Sequence, residues 1–305
     1  MEKFISISNN SFLRSYGVYG SIDIAHNLGV NGIDLYLQIY DYKDSNSVYS
    51  FGADDNRFIK HFEDIKKYAD SKGVKICQTH GRSTPVIEND DEYNNVVFPK
   101  NAKLDLIASR ILGSPICVFH PAGTLSNMNS TPEEMREKTF NAFKSILPTA
   151  MENGVKIAME TVGANHNLND EIDFFGDFEE FFALYNRIEA IDNYKYKDYF
   201  SCCIDTGHVN LAVKHNQPTP AEFIKKMGKR VSCLHMHDND GYRDQHRIIS
   251  SGTINWEDVF SALAEIGYKG YYNTETYFGT ISKTFMIETA EFSVKLIRHF
   301  LSLCE

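Results

Sequence analysis

The sequence predicts an α/β protein built as a single (β/α)8 TIM barrel, and three observations support this fold class. Short apolar runs of β-type composition alternate with longer segments of helical periodicity. Eight such runs occur within 305 residues, a length that suits one barrel. No GxGxxG motif follows the first run, which disfavours the alternative of a doubly wound open sheet with a cofactor crevice.

Each predicted strand precedes a segment with helical periodicity, and no linker rich in Pro, Gly or Ser interrupts the series. This strict alternation is typical of one barrel rather than of two domains. In chain order the predicted strands are Phe4–Ser8, Gly32–Leu37, Lys75–His80, Pro115–His120, Lys156–Thr161, Phe200–Thr206, Val231–His237 and Tyr271–Thr276.

Helices are predicted from periodicity and from residues that cap helix ends. Arg57–Lys72 places its apolar residues three or four positions apart. Thr131 supplies a capping hydroxyl before a proline, and Gly154 suits the left-handed end of the same helix. Asn255–Gly270 and Thr284–Leu301 are predicted as the last two helices.

The amino-acid composition limits the kinds of binding partner that are expected. The net charge of −10 and the lack of a long basic run disfavour binding to a phosphate backbone, so nucleic acid is not the expected partner. No run of about 18 apolar residues is present, so no membrane span is predicted. A group of acidic residues is interpreted as solvated surface: Asp170, Glu171, Asp173 and Asp177.

The amino terminus and the cysteines favour a cytoplasmic location. The first ten residues show no apolar segment followed by a small-residue cleavage site, so no signal peptide is predicted. Five of the six cysteines lie within apolar, strand-like runs, and no CxxC pair occurs. Buried reduced thiols in a reducing compartment are the expectation.

Histidines and carboxylates collect at the predicted carboxyl ends of the strands. In a barrel these ends share the face where the loops build the active site. Burying charge there costs free energy unless a shared partner offsets it, and a divalent cation is the simplest such partner. The residues are His80, His120, Glu160, Asp205, His208, His235, His237 and Glu275.

The stretch CLHMHDNDGYRDQH, from Cys233 to His246, is the densest of these groups. His235 and His237 share one face of a strand, because side chains alternate with period two, so either one can approach the site. Asp244 and His246, at the far end of the loop, can fold back onto the same face.

The types of ligand atom narrow the choice of metal ion. Glu160, Asp205 and Glu275 with one histidine offer three oxygens and one nitrogen, and no thiolate takes part. This mixture suits Mn²⁺, Zn²⁺, Co²⁺ or Mg²⁺ rather than a soft metal.

The motifs CIDTGH, LHMHDNDGYRDQH and GTINW, with AMET before them and NTET after them, resemble the xylose-isomerase-like TIM barrels. That superfamily contains sugar isomerases, ketose 3-epimerases, inosose dehydratases, hydroxypyruvate isomerases and the endonuclease IV class of DNA-repair enzymes. The resemblance covers nearly the whole chain from the second strand onward, and it implies one domain over residues 1–305.

For the isomerase and epimerase members, the resemblance implies one divalent metal bound by Glu160, Asp205, His235 and Glu275. His235 is preferred to His237 because the motif HMHD matches the family pattern after its ligand histidine slightly better than HDND does. The resemblance further implies that Glu160 and Glu275 move a proton beside the carbonyl of a sugar. It also implies that His208 contacts substrate oxygens, and Arg243 and His237 are predicted as further substrate contacts.

A zinc-dependent abasic-site endonuclease is the alternative, because all nine ligand types of the endonuclease IV class also occur here. They correspond to His80, His120, Glu160, Asp205, His208, His235, Asp244, His246 and Glu275. That class inserts arginine and bulky side chains into the duplex from its early loops. After His80 this chain has one arginine, Arg82, and no aromatic wedge, which favours a small-molecule enzyme.

A metal-binding barrel without catalysis is the third reading. Within the small-molecule reading, epimerisation, isomerisation and dehydration stay open, as does phosphorylation of the sugar. The sequence also leaves open whether the chain forms a homo-oligomer.

Overall fold

The computed structural model describes residues 4–123, 129–165, 171–278 and 283–304. Its eight-stranded sheet is parallel throughout, and the first seven strands pair in chain order. The strands are β1 (Ile5–Ser8), β2 (Gly32–Tyr36), β3 (Lys75–His80), β4 (Ile116–Phe119), β5 (Lys156–Glu160), β6 (Phe200–Asp205), β7 (Val231–His235) and β8 (Tyr272–Thr274).

The sheet closes into a barrel at two places. The last strand, β8, pairs with β1 in parallel, and a parallel bridge joins Met236 to Thr274 just beyond β7. The predicted TIM barrel is therefore confirmed. All eight predicted strands are present, and each ends at its predicted carboxyl end or at most two residues before it.

Helices connect the strands on the outside of the barrel. A capping box at Thr131 starts the helix predicted there, and Gly154 ends it with φ of 65°. The helices are α1 (Asn10–Asn27), α2 (Asn56–Ser71), α3 (Phe98–Leu112), α4 (Pro132–Asn153), α5 (Phe178–Glu189), α6 (Thr206–Ala212), α7 (Pro220–Met227), α8 (Trp256–Glu265) and α9 (Met286–Leu303).

The predicted helix Asn255–Gly270 is shorter in the structure, because Asn255 is its cap and its last turn ends before Gly267, whose φ is 69°. None of the helices in the described part of the chain is both long and apolar enough to cross a bilayer.

Apolar side chains fill both the layer between sheet and helices and the barrel interior. The interior holds a small separate cluster of Val118, Ala158, Cys203 and Cys233, below the carboxyl ends of the strands. All six cysteines are free, and five of them are buried, as the sequence predicts. Packing below the strand ends leaves the polar residues collected at one face of the barrel.

Candidate metal centre and active site

A polar cleft of about 170 Å³ opens at the carboxyl ends of the strands. Loops and strand ends from both halves of the barrel contribute to it, as this fold requires of a site at that face. Its lining residues are Asn10, Tyr36, Gln38, His80, Ser83, His120, Glu160, His208, Asp244, His246, Glu275 and Tyr277.

The first group of candidate ligands comes from the ends of four strands. Glu160, Asp205, His235 and Glu275 are buried, and each offers a ligand atom within 4.8 Å of the others. Nδ1 of His235 lies 2.9 Å from Oε1 of Glu160 and 3.3 Å from Oε2 of Glu275. The structure thus brings together the four residues that the sequence assigns to one metal.

A buried oxygen of this group has no hydrogen bond. Oε2 of Glu160 makes none with the described residues, although Nε2 of His120 lies 2.9 Å away. A buried carboxylate oxygen without a hydrogen bond is costly, and a cation satisfies it. Three carboxylates and one imidazole with such an oxygen therefore fit a divalent metal.

The electrostatics separate the two glutamates. Burial acts to raise the pKa of Glu160, but the rings of His120 and His235 outweigh it and hold that pKa well below its usual range. Burial raises the pKa of Glu275 to about 8, since the nearby Glu160 and Asp205 carboxylates oppose the lowering by His235 and His246. Environments that move the pKa values of two carboxyl groups in opposite directions are typical of acid–base sites.

A second group shares Glu160 with the first. Nε2 of His80 lies 3.5 Å from Oε2 of Glu160 and 3.4 Å from Nε2 of His120. On its other side, Nδ1 of His80 lies 3.1 Å from the carbonyl oxygen of Gly81, which fixes the ring. Burial lowers the pKa of His80 to about 4, so its ring is neutral at pH 7 and can act as a ligand.

A third group lies on the loop side of the cleft and consists of His208, His237, Asp244 and His246. Nε2 of His208 and Nε2 of His246 lie 3.5 and 3.2 Å from Oδ2 of Asp244. Their Nδ1 atoms face backbone carbonyls, of Thr161 at 2.9 Å and of Glu275 at 2.7 Å. Both rings therefore turn Nε2 toward the same carboxylate.

His237 supports the site from behind. Its Nε2 lies 2.9 Å from Oδ1 of Asp205, and its ring stacks on His246 with centroids 3.8 Å apart. A Cβ atom at Gly207 would lie 1.9 Å from Cε1 of His237, so this contact requires glycine. His237 is fully buried and is not among the residues that line the cleft.

Arg243, which the sequence assigns to the substrate, is exposed on the loop after β7. Its backbone N–H donates to Oδ1 of Asp240 at 2.9 Å, and its side chain is not among those lining the cleft. Contact between Arg243 and a substrate stays a prediction.

The acidic segment interpreted as solvated surface is only partly exposed, because Glu171, Asp173 and Asp177 are each half-buried. Partial burial raises the pKa of the Asp173 carboxyl, and His208 and His120 lie close enough to act against this rise. Asp177 caps α5 by accepting the N–H groups of Glu179 and Glu180. Glu171 lies in a short antiparallel pairing of Ala164–Asn165 with Glu171–Ile172, and Asp170 lies outside the described residues.

Sequence reasoning missed Asp34, which lies fully buried in the middle of β2. Its Oδ2 is 3.1 Å from Nε2 of His235, on the side of the ring opposite Glu160. The available signal was an acid inside an apolar strand, because such a residue needs a partner in the core.

Asp238 is a structural residue. Its Oδ2 accepts a hydrogen bond of 2.8 Å from Nε1 of Trp256, and its Oδ1 accepts the N–H groups of Asn239 and Ile254. These bonds tie the loop after β7 to the start of α8. These hydrogen bonds explain Asp238, the first aspartate of the motif HDND, as a structural residue rather than a catalytic one.

Comparison with known proteins gives a family and a fold. The family described as xylose isomerase-like TIM barrel matches residues 22–294. An uncharacterized protein of Methanocaldococcus jannaschii, MJ1311, is 30% identical over 167 residues, which are 54% of this chain and 51% of that protein. The match thus spans about half the length of the curated relative.

Solved structures resemble the chain over almost its full length. A D-tagatose 3-epimerase-like protein superposes with a TM-score of 0.73 at 20% identity, covering 99% of this chain and 98% of its own. The IOLI protein, described with a bound zinc atom, superposes with a TM-score of 0.70 at 16% identity, covering 99% and 97%. At these identities the likeness shows the fold.

Proposed function

The chain belongs to the xylose isomerase-like TIM barrel family, and we propose that it is a divalent-metal-dependent isomerase or epimerase of a sugar. The observation that carries this proposal is the buried group Glu160, Asp205, His235 and Glu275, in which Oε2 of Glu160 accepts no hydrogen bond from the described residues. The epimerase-like protein with the same fold supports the substrate class.

Glu160, Asp205, His235 and Glu275 would hold the metal. A divalent cation there supplies Lewis acidity, which polarises a carbonyl oxygen and favours loss of the proton on the neighbouring carbon. One glutamate accepts that proton on a carboxylate oxygen, and the other glutamate or water returns it. His208 lines the cleft, and we assign it the role of holding a substrate oxygen.

The cleft favours an uncharged substrate. None of the described residues that line it is a lysine or an arginine, and several are hydroxyl or amide side chains: Asn10, Tyr36, Gln38, Ser83 and Tyr277. Such groups suit the hydroxyls of a sugar. A phosphate group would find neither a lysine nor an arginine among these lining residues.

The test is conversion of a panel of ketoses, inososes and hydroxypyruvate by protein loaded in turn with Mn²⁺, Zn²⁺, Co²⁺ or Mg²⁺. We expect one class of sugar to be converted and a chelator to stop the conversion. A duplex with one abasic site is offered in parallel at low salt, where electrostatic attraction is strongest. Cleavage at that site with every sugar unchanged would overturn the proposal.

Zinc-dependent cleavage of DNA at abasic sites is the second candidate function. The observation in its favour is the presence of three adjoining ligand groups, since neighbouring cations serve phosphoryl chemistry. Elemental analysis separates the two, because about one tightly held ion per chain fits the sugar enzyme and three zinc ions fit the nuclease.

The early-loop arginine argues against the nuclease. Nε and Nη2 of Arg82 donate to the two carboxylate oxygens of Asp105, both at 2.9 Å, and Nη2 also donates to the carbonyls of Leu37 and Tyr40. Arg82 is only 7% exposed. A guanidinium bound in this way is not available to enter a duplex.

A further inference from the structure

His235 stands between carboxylates on both sides of its ring. Nδ1 faces Glu160 and Glu275, whereas Nε2 faces Asp34 at 3.1 Å. A neutral imidazole carries one N–H and one lone pair, and only the nitrogen with the lone pair can bind a metal. The partner of Nε2 therefore decides which nitrogen is the ligand.

Asp34 is built to accept hydrogen bonds. Its Oδ2 also receives the amide Nε2 of Gln78 and the amide Nδ2 of Asn273, each at 3.4 Å. Both amide orientations have separate support. Gln78 Nε2 also donates to the carbonyl of Leu234, and Asn273 Oδ1 accepts the hydroxyl of Ser6 at 2.9 Å.

Three donors thus converge on one oxygen. Because two amide N–H groups and the ring share Oδ2, this oxygen is placed to accept from all three. Asp34 is fully buried, so water does not compete for this oxygen.

We propose that Asp34 is a positioning residue that receives Nε2–H of His235 and so presents the Nδ1 lone pair to the metal held with Glu160, Asp205 and Glu275. This inference rests on the proposed metal site but not on the identity of the substrate. A carboxylate behind a ligating histidine fixes the ring and raises the basicity of the ligand nitrogen.

The test measures zinc affinity with a competing chelator and the ring state of His235 by nitrogen NMR of the zinc-loaded protein. We expect Asp34→Ala to weaken zinc binding about 10- to 100-fold. Asp34→Asn, which keeps an acceptor oxygen without the charge, should fall between that variant and the wild type. The wild type should show a protonated Nε2 and a metal-bound Nδ1.

Asp105→Asn is the matched control, because Asp105 is a buried carboxylate paired with Arg82 rather than with a candidate ligand. It should keep wild-type zinc affinity. Equal weakening in Asp105→Asn would indicate a general loss of packing and overturn the inference.

If Asp34→Ala does not fold, Asp34→Asn decides. If a folded Asp34 variant binds zinc with wild-type affinity and shows the same protonated Nε2 of His235, that result overturns the role of Asp34 but not the proposed metal site. A wild type that binds no zinc would overturn this role and the proposed function together, whereas sugar turnover has no part in the measurement.

Discussion

Glu160 and Glu275 approach the same nitrogen of His235, at 2.9 and 3.3 Å, yet their pKa values move in opposite directions. Glu160 has two imidazoles beside it, and its pKa falls well below the usual range in spite of burial. Glu275 is buried near two other carboxylates, which raises its pKa to about 8. At pH 7 Glu160 is therefore ionised, and a metal held by the proposed ligands would displace the proton of Glu275.

This pair gives the first prediction. Glu160→Gln and Glu275→Gln should each lower kcat by a factor on the order of 10² or more, because each change removes a ligand charge and a proton acceptor together. Steady-state kinetics on the converted sugar measures the effect. Glu63→Gln, an exposed change on α2, should match the wild type. Near-normal kcat in either site variant would show that its residue lacks the assigned role.

Arg82 and Asp105 give a prediction on stability. Arg82→Met should lose about 3–5 kcal/mol of unfolding free energy in urea, because it leaves a buried carboxylate without its cation. Arg57→Met breaks the exposed pair with Asp55 and should change stability very little. If Arg82→Met unfolds like the wild type but loses affinity for an abasic duplex, the nuclease becomes the better account.

Trp256 and Asp238 should behave as a coupled pair. Trp256→Phe removes the N–H that satisfies Oδ2 of Asp238, and we expect a loss of about 1–3 kcal/mol in unfolding free energy. A double-mutant cycle with Asp238→Ala measures the coupling, since residues in contact are not additive. Additive losses in that cycle would mean that the hydrogen bond does not hold the loop.

His61 gives a prediction on pH. Burial beside Tyr40, whose hydroxyl lies 2.8 Å from Nε2, lowers the pKa of His61, and Asp64 only partly opposes this. Below about pH 6.5 the unfolded chain takes up a proton before the folded chain does, so folding stability is lost as pH falls. The free energy of unfolding in urea is measured at pH 7.5 and pH 5.5 for the wild type and for His61→Gln. Between these two pH values the wild type should lose more unfolding free energy than the variant. If the wild type and His61→Gln differ in unfolding free energy by the same amount at both pH values, the lowered pKa of His61 is contradicted.

The sequence was sufficient for the barrel and for the residues at its strand ends. Strand runs such as Lys75–His80 end in a histidine because the polar face begins there, and parallel strands place such ends together. The same reasoning brought Glu160, Asp205 and Glu275 together with one histidine, and the family resemblance selected His235 as that histidine.

The other features of the site depend on tertiary packing, which no local sequence pattern indicates. Asp34 lies in an apolar strand, and its partner His235 is 201 residues away. Asp173 is half-buried because its segment folds back, where its backbone N–H donates to the carbonyl of Gly163. The motif HDND offers several residues of similar chemistry, and only the contact with Trp256 identifies Asp238 as structural.

The most direct test of the central claim is the exchange of carbon-bound hydrogen in deuterated water. Metal-loaded protein is incubated with the sugar panel, and deuterium is followed by NMR at the carbon beside the carbonyl. We predict that the converted sugar gains deuterium there, and that Glu160→Gln and Glu275→Gln abolish the gain. Sugars that stay unconverted and unlabelled, while an abasic duplex is cut at its lesion, would contradict the account.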